Sequence, residues 1–326
     1  MALTSEENTN VESRLDRCDA PLNDLPHLAA IYDPQWRADH REKMLGVASM
    51  LDVWYPGAYA KPHQEFVYPD DYQQRLEEGL AVLLPKLPPG VQAHLKERMR
   101  RNGCASAEEE LLLARGFSRV FGEPAISYPA VAKDQAVPEF HVQVSGKTVE
   151  IEAKGLFDPD VVRRLNEAMR RSGQNSWYSF NPKIGDVARL DRTITEALLS
   201  PATGHARIVV LTKYEPWISP FESVPLIRTL AVNPGVFGIP IQNHPLAIAY
   251  VTTRRIAGVW FNRGVERRVA LDAPARESIR VALKASFYAR RDGVFFDEHQ
   301  DEDTQREMIS KMERRRGGAG SSNLGD

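Results

Sequence analysis

The segment Thr148-Val149-Glu150-Ile151-Glu152-Ala153-Lys154-Gly155 alternates apolar and charged side chains. In a strand, successive side chains point to opposite faces. Glu150, Glu152 and Lys154 would then share one face, and Val149, Ile151 and Ala153 the other. The preceding segment, Phe140-His141-Val142-Gln143-Val144, also alternates, and it opens on Pro138-Glu139. Ser145-Gly146-Lys147 between the two suits a tight hairpin, which would bring Glu139 toward Glu152 and Lys154. Two carboxylates and one ammonium converge in that arrangement. Mg²⁺ takes oxygen ligands and keeps several of its waters, so two or three carboxylates can hold it. A lysine beside them can orient or deprotonate a water, or offset charge at a pentavalent phosphorus. The residue types suit metal-assisted hydrolysis of a phosphodiester. A solvated sheet face accounts for the same polar residues without chemistry. Against that, Glu152-Ala153-Lys154 is the only acidic-x-Lys tripeptide in the chain.

These residues need elements to position them. Ser106 to Gly122, SAEEELLLARGFSRVFG, reads as a helix. Ser106 would cap it, with Glu109 completing a capping box, and Leu113, Phe117, Val120 and Phe121 would form the buried stripe. ISYPAV (126–131) reads as a short strand, followed by the two alternating strands. Residues 160–171 and 184–199 are amphipathic and helical in pattern. ARIVVLTKY (206–214) is an apolar, β-branched run of the kind buried inside a sheet. Residues 246–262 suggest two further strands, or a strand and a long bend. From 106 the order is therefore helix, three strands, helix, strand, which fits an α/β sheet flanked by helices.

Upstream, residues 25–102 form a helical accessory region broken by Pro34, Pro56, Pro62 and Pro69. Its clearest pieces are 70–84 and 89–101. Lys96, Arg98, Arg100 and Arg101 at the end of the second suit a helix C-terminus. Residues 1–24 read as a mobile polar arm, and 298–326 as a charged, disordered tail. No internal repeat is visible.

Pro138-Glu139-Phe140, eleven residues, then Glu152-Ala153-Lys154, downstream of a Glu-rich helix, resembles the PD-(D/E)XK nuclease superfamily. The resemblance spans roughly residues 106–214, inside a domain placed at 103–297. It implies a restriction-endonuclease-like αβββαβ core, a mixed sheet flanked by helices, with an N-terminal helical region added. It implies Glu139 and Glu152 as metal ligands and Lys154 as the catalytic lysine. The helix carboxylate falls among Glu108, Glu109 and Glu110; Glu110 lies closest to the Leu113 and Phe117 stripe, and Glu109 is the alternative. The implied cofactor is Mg²⁺, with Mn²⁺ as a substitute, and the implied substrate is DNA rather than RNA. Position 139 departs from the pattern, being Glu where the family usually has Asp. Gln174 and Tyr178 have the spacing of the Gln-x-x-x-Tyr element of some members, but SGQNSWYSFNP reads as a surface loop. Arg163 and Arg164, with Arg170, Arg171, Lys183, Arg189 and Arg192, would either hold phosphates or line a solvated helix face. Trp177 and Tyr178 suit base stacking or partial burial equally.

At 326 residues the chain has room for one large domain or two smaller ones. A formal charge of −2 neither favours nor opposes a nucleic-acid partner, because phosphate binding depends on local clusters. Two cysteines make no disulfide framework. No run approaches the roughly 18 apolar residues of a membrane helix, and the first residues lack the pattern of a secretory signal. A cytoplasmic location is the default expectation, with no membrane partner. His141, His205 and His244 have no metal-site spacing, and no phosphate-cradling glycine loop occurs. Two functional readings follow. One is a DNA-hydrolysing enzyme of defence, restriction or repair, with a homodimer or a protein partner engaged through the helical region. The other is a catalytically silent nucleic-acid-binding or assembly module of the same fold.

Overall fold

The computed structural model describes residues 12–13, 15–16, 19–45, 71–100, 104–129, 139–155, 205–213, 227, 241, 244–252 and 255–287. Helices α1 (Pro26–Ile31), α2 (Pro34–Leu45), α3 (Tyr72–Leu83), α4 (Pro89–Met99) and α5 (Cys104–Phe121) precede the strands. These are β1 (Ile126–Ser127), β2 (Phe140–Val144), β3 (Lys147–Gly155), β4 (Ala206–Lys213), β5 (Ala247–Thr252) and β6 (Arg255–Phe261). Helices α6 (Arg263–Val269) and α7 (Ala273–Ser286) follow. The expected α/β class, with a mixed sheet and helices, is found. Residues 160–171 and 184–199 lie outside the described residues.

The six strands stand in chain order. β1, β2 and β3 are antiparallel neighbours, β3, β4 and β5 run parallel, and β6 returns antiparallel to β5. Val144 pairs with Lys147, so the hairpin turn is only Ser145-Gly146. Both turn residues have positive φ, 49° and 74°, the backbone that a two-residue hairpin requires. Lys147, expected in the connection, therefore belongs to β3. β1 stops at Ser127, shorter than expected; two residues on, Pro129 has no amide to extend the ladder. Residues 246–262 resolve to the hairpin β5–β6.

One sheet face carries Phe140, Val142, Val149, Ile151, Ile208 and Val210, all buried, and α5 packs on it through Phe117. Leu76, Leu80 and Leu83 of α3 and Leu95 and Met99 of α4 belong to the same continuous core. Close helix packing explains two glycines. A Cβ on Gly79 would lie 2.3 Å from the Leu111 carbonyl oxygen, and one on Gly116 1.9 Å from Ser286 Oγ. α5 thus approaches α3 and α7 nearly backbone to backbone. The apolar period of α7 was not read from the sequence, but its start is set by a cap: Asp272 accepts from the Ala275 amide at 2.8 Å. Asn262 does the same for α6, accepting from Gly264 and Val265.

Two expectations are corrected here. Ser106 does not cap α5 and Glu109 forms no capping box. The helix begins at Cys104, and Ser106 Oγ accepts from Arg98 instead. Part of the segment expected as a mobile arm is packed: Leu15 and Leu22 are buried, and Arg41 pairs with Asp16 and Asp19. Burying two leucines outweighs the polar composition around them.

Candidate active site

Strand β3 delivers Glu150, Glu152 and Lys154 to the face opposite α5, as the alternation requires. That face is not solvated. Glu150 and Glu152 are 3% and 5% exposed. Across β4, β5 and β6 it continues as Val209, Leu211, Ile248, Tyr250 and Trp260, all fully buried. Buried carboxylates must be paired, because desolvation of an isolated charge costs far more than any packing gain.

Glu152 is paired on both oxygens. Arg207 Nη1 donates to Oε2 at 2.9 Å, and Lys154 Nζ lies 3.0 Å from Oε1. Arg207 is itself buried, whereas the Lys154 side chain is 39% exposed. Lys154 is therefore the one member of this trio with substantial access to solvent.

Glu139 directly precedes β2, and its amide donates to the Ile151 carbonyl at 2.9 Å, which sets it beside Glu152. Its carboxyl is pushed well above the usual glutamate range, first by burial and then by the neighbouring charge of Glu110. Arg98 and Lys154 pull the other way, and Glu152 adds to the rise. Glu110, from the buried side of α5, hydrogen-bonds with Glu139. Burial raises the Glu110 carboxyl as well, while Arg98 and the Glu139 hydrogen bond lower it. Arg98 Nη2 donates to Glu110 Oε1 and, at 2.9 Å, to Ser106 Oγ.

The expected four residues are thus brought together: Glu110, Glu139, Glu152 and Lys154 lie within electrostatic reach of one another. Between the two helix alternatives, Glu110 faces Glu139. Glu109 is buried on the same helix and adds to the field on Arg98. Glu108 points elsewhere and accepts from Tyr72 Oη at 2.6 Å. Arg163, Arg164, Gln174 and Tyr178 lie outside the described residues.

Two members of the site were not anticipated. Arg98 was read as a cation suited to a helix C-terminus, but its guanidinium crosses to α5. Arg207 was read only as part of an apolar strand. One signal for Arg207 was present, since a single charge inside a buried apolar run demands a buried partner.

Among the described residues, no group of three or more His, Cys, Asp or Glu side chains is gathered closely enough to hold a metal ion by itself. The Glu110–Glu139 pair nevertheless fits a hard cation. Mg²⁺ is commonly bound through one or two carboxylates with waters completing the shell. Two carboxyls joined by a hydrogen bond, Glu110 buried and Glu139 part-exposed, are the sort of donor set from which a cation displaces a proton. Two residues along from Glu139, His141 is half-buried, 3.6 Å from Glu150, and meets the His205 ring edge-on at 5.6 Å. Burial lowers the pKa of His141.

Comparison of the chain with protein-family models, curated proteins and solved structures finds no match in any of the three. The assignment of function therefore rests on the geometry of the site.

Proposed function

We propose that this chain is a metal-dependent nuclease of the PD-(D/E)XK type, with a restriction-endonuclease-like core running from α5 to β4. The observation that carries the reading is the convergence of Glu110, Glu139, Glu152 and Lys154 from a helix and two paired strands. Element order supports it too: a helix, three antiparallel strands, then a strand parallel to the third.

Glu110 and Glu139 would hold Mg²⁺ or Mn²⁺, with Glu152 as a third carboxylate beside them. Bound there, the cation would supply charge stabilisation at the scissile phosphate and a more acidic water. The chain's own residues do the rest. Lys154, tethered by Glu152 yet open to solvent, orients the attacking water or stabilises charge at phosphorus. Arg207 anchors the other oxygen of Glu152, so that the carboxylate and the lysine it holds stay fixed. DNA is the proposed substrate. The N-terminal helices, continuous with the core through Leu76, Leu80 and Leu95, are proposed as an accessory surface for substrate or a protein partner.

One observation favours a second reading. Both Glu152 oxygens are held by cations of the chain itself. A binding module that retains the fold without cleaving would show that pairing, and Glu139 in place of Asp is consistent with it. The test is to incubate the purified chain with supercoiled, linear and single-stranded DNA in Mg²⁺, Mn²⁺ or EDTA. Cleavage that requires the divalent ion supports the nuclease. DNA binding without cleavage in any metal supports the module.

A further inference from the structure

The corner around Glu139 holds three carboxylates, Glu110, Glu139 and Glu152, and three cations, Arg98, Lys154 and Arg207. Two of the cations face Glu152. The third, Arg98, comes from α4, outside the strands and helix that form the rest of the site. It sends Nη2 to both Ser106 and Glu110, and the charges of Glu139 and Glu109 reach it as well. Its side chain keeps 26% of its surface exposed, so it stands at the rim rather than in the core.

We propose that Arg98 is a positioning residue of this site: it is the resident counter-ion of Glu110, and it sets how strongly the carboxylate pair holds a divalent cation. The inference rests on the metal-site reading of Glu110 and Glu139. A guanidinium bonded to one oxygen of a ligand carboxylate competes with any ion for that oxygen and adds a like charge beside it. With chain cations offsetting much of the carboxylate charge, a divalent ion enters a corner of reduced negative charge. Its two charges are then balanced by the arriving phosphodiester. Arg98 thus ties tight metal binding to the presence of nucleic acid, and places that control on a helix of the N-terminal region.

The test measures Mn²⁺ affinity directly, by calorimetry without nucleic acid, alongside cleavage. Arg98→Gln removes the charge and should raise Mn²⁺ affinity roughly tenfold, the scale of one unit charge near a partly exposed site. Arg98→Lys keeps the charge and should stay near wild type. If the glutamine variant does not fold, Arg98→Met preserves the packing of the aliphatic stem and carries the same expectation. A purely structural arginine would change the melting temperature and leave Mn²⁺ affinity where it was. Unchanged or weakened Mn²⁺ binding in the folded charge-removing variant overturns the proposal. Wild-type protein that binds Mn²⁺ but never cleaves overturns only the nuclease reading. Wild-type protein that binds no Mn²⁺ overturns both the metal site and the role of Arg98 in it.

Discussion

Two sets of glutamates packed into one molecule are satisfied in opposite ways. On α3, Glu77 accepts from the His27 amide at 3.0 Å, the Leu28 amide at 2.9 Å and the His27 ring at 2.7 Å. It thereby takes up the free amides at the start of α1, which the sequence there cannot cap because Pro26 and Leu25 offer no side-chain acceptor. Nothing about Glu77 remains to be used. Glu110 and Glu139 instead face each other: the charge of Glu110 raises the proton affinity of Glu139, while Arg98 and the hydrogen bond with Glu139 offset the rise that burial imposes on Glu110. Folding gains little from two like charges in one low-dielectric corner. An acid surrounded by hydrogen-bond donors is architecture; acids set against one another are a candidate site.

Substitutions that separate the two regions sharpen the contrast. The largest effect is expected at Glu152→Gln, which keeps the Arg207 hydrogen bond but removes a charge. If metal catalysis contributes several kcal/mol at the transition state, cleavage should fall by about a hundredfold or more. Mn²⁺ binding should weaken with it; the melting temperature should fall as well, because buried Arg207 loses its counter-charge, so cleavage is compared per folded molecule. Alanine is the poorer probe, because it would leave Arg207 buried without its partner.

Glu77→Ala should behave in the reverse manner. Removing a buried acceptor from two amides and an imidazole is expected to cost about 3 kcal/mol of stability. Mn²⁺ affinity and cleavage per folded molecule should stay at wild-type values. A loss of metal binding in folded Glu77→Ala protein would erase the distinction between the two regions.

A smaller effect is expected with pH. The Glu139 carboxyl is raised in the folded protein, so the metal-free fold retains a proton that the unfolded chain has released. Its contribution to stability is full below the ordinary glutamate range and is lost as pH rises through the raised value. The melting temperature of metal-free protein should therefore decline with rising pH over that interval. Glu139→Gln should flatten the decline, and saturating Mn²⁺ should reverse it. A slope identical in wild type and Glu139→Gln would remove Glu139 from the account.

Much of this could be read along the chain because it depends on local periodicity. The alternation in 140–144 and 148–154 gives the hairpin and its two faces, and the register follows from the turn. Glu110 was separable from Glu108 because successive helical residues point about 100° apart, although the reason given for it, nearness to the Leu113 stripe, is only part of the cause. What escaped was non-local. Arg98 has a sufficient local explanation at the end of a helix, and only the packing of α4 on α5 reveals its acceptor. Arg207 lies 55 residues from Glu152, and no pattern in 206–214 names its partner. The capping box at Ser106 failed because the helix begins earlier, at Cys104, and Ser106 Oγ accepts from Arg98 instead.

The most direct test of the central claim is cleavage by Lys154→Ala. Its side chain is more than a third exposed, so truncation leaves no core cavity, and its proposed work is in the transition state. General acid–base or electrostatic assistance of this kind contributes about 10²- to 10⁴-fold. The account predicts a folded protein that still binds DNA and Mn²⁺ but has lost cleavage by that factor. Wild-type cleavage by folded Lys154→Ala protein would contradict it.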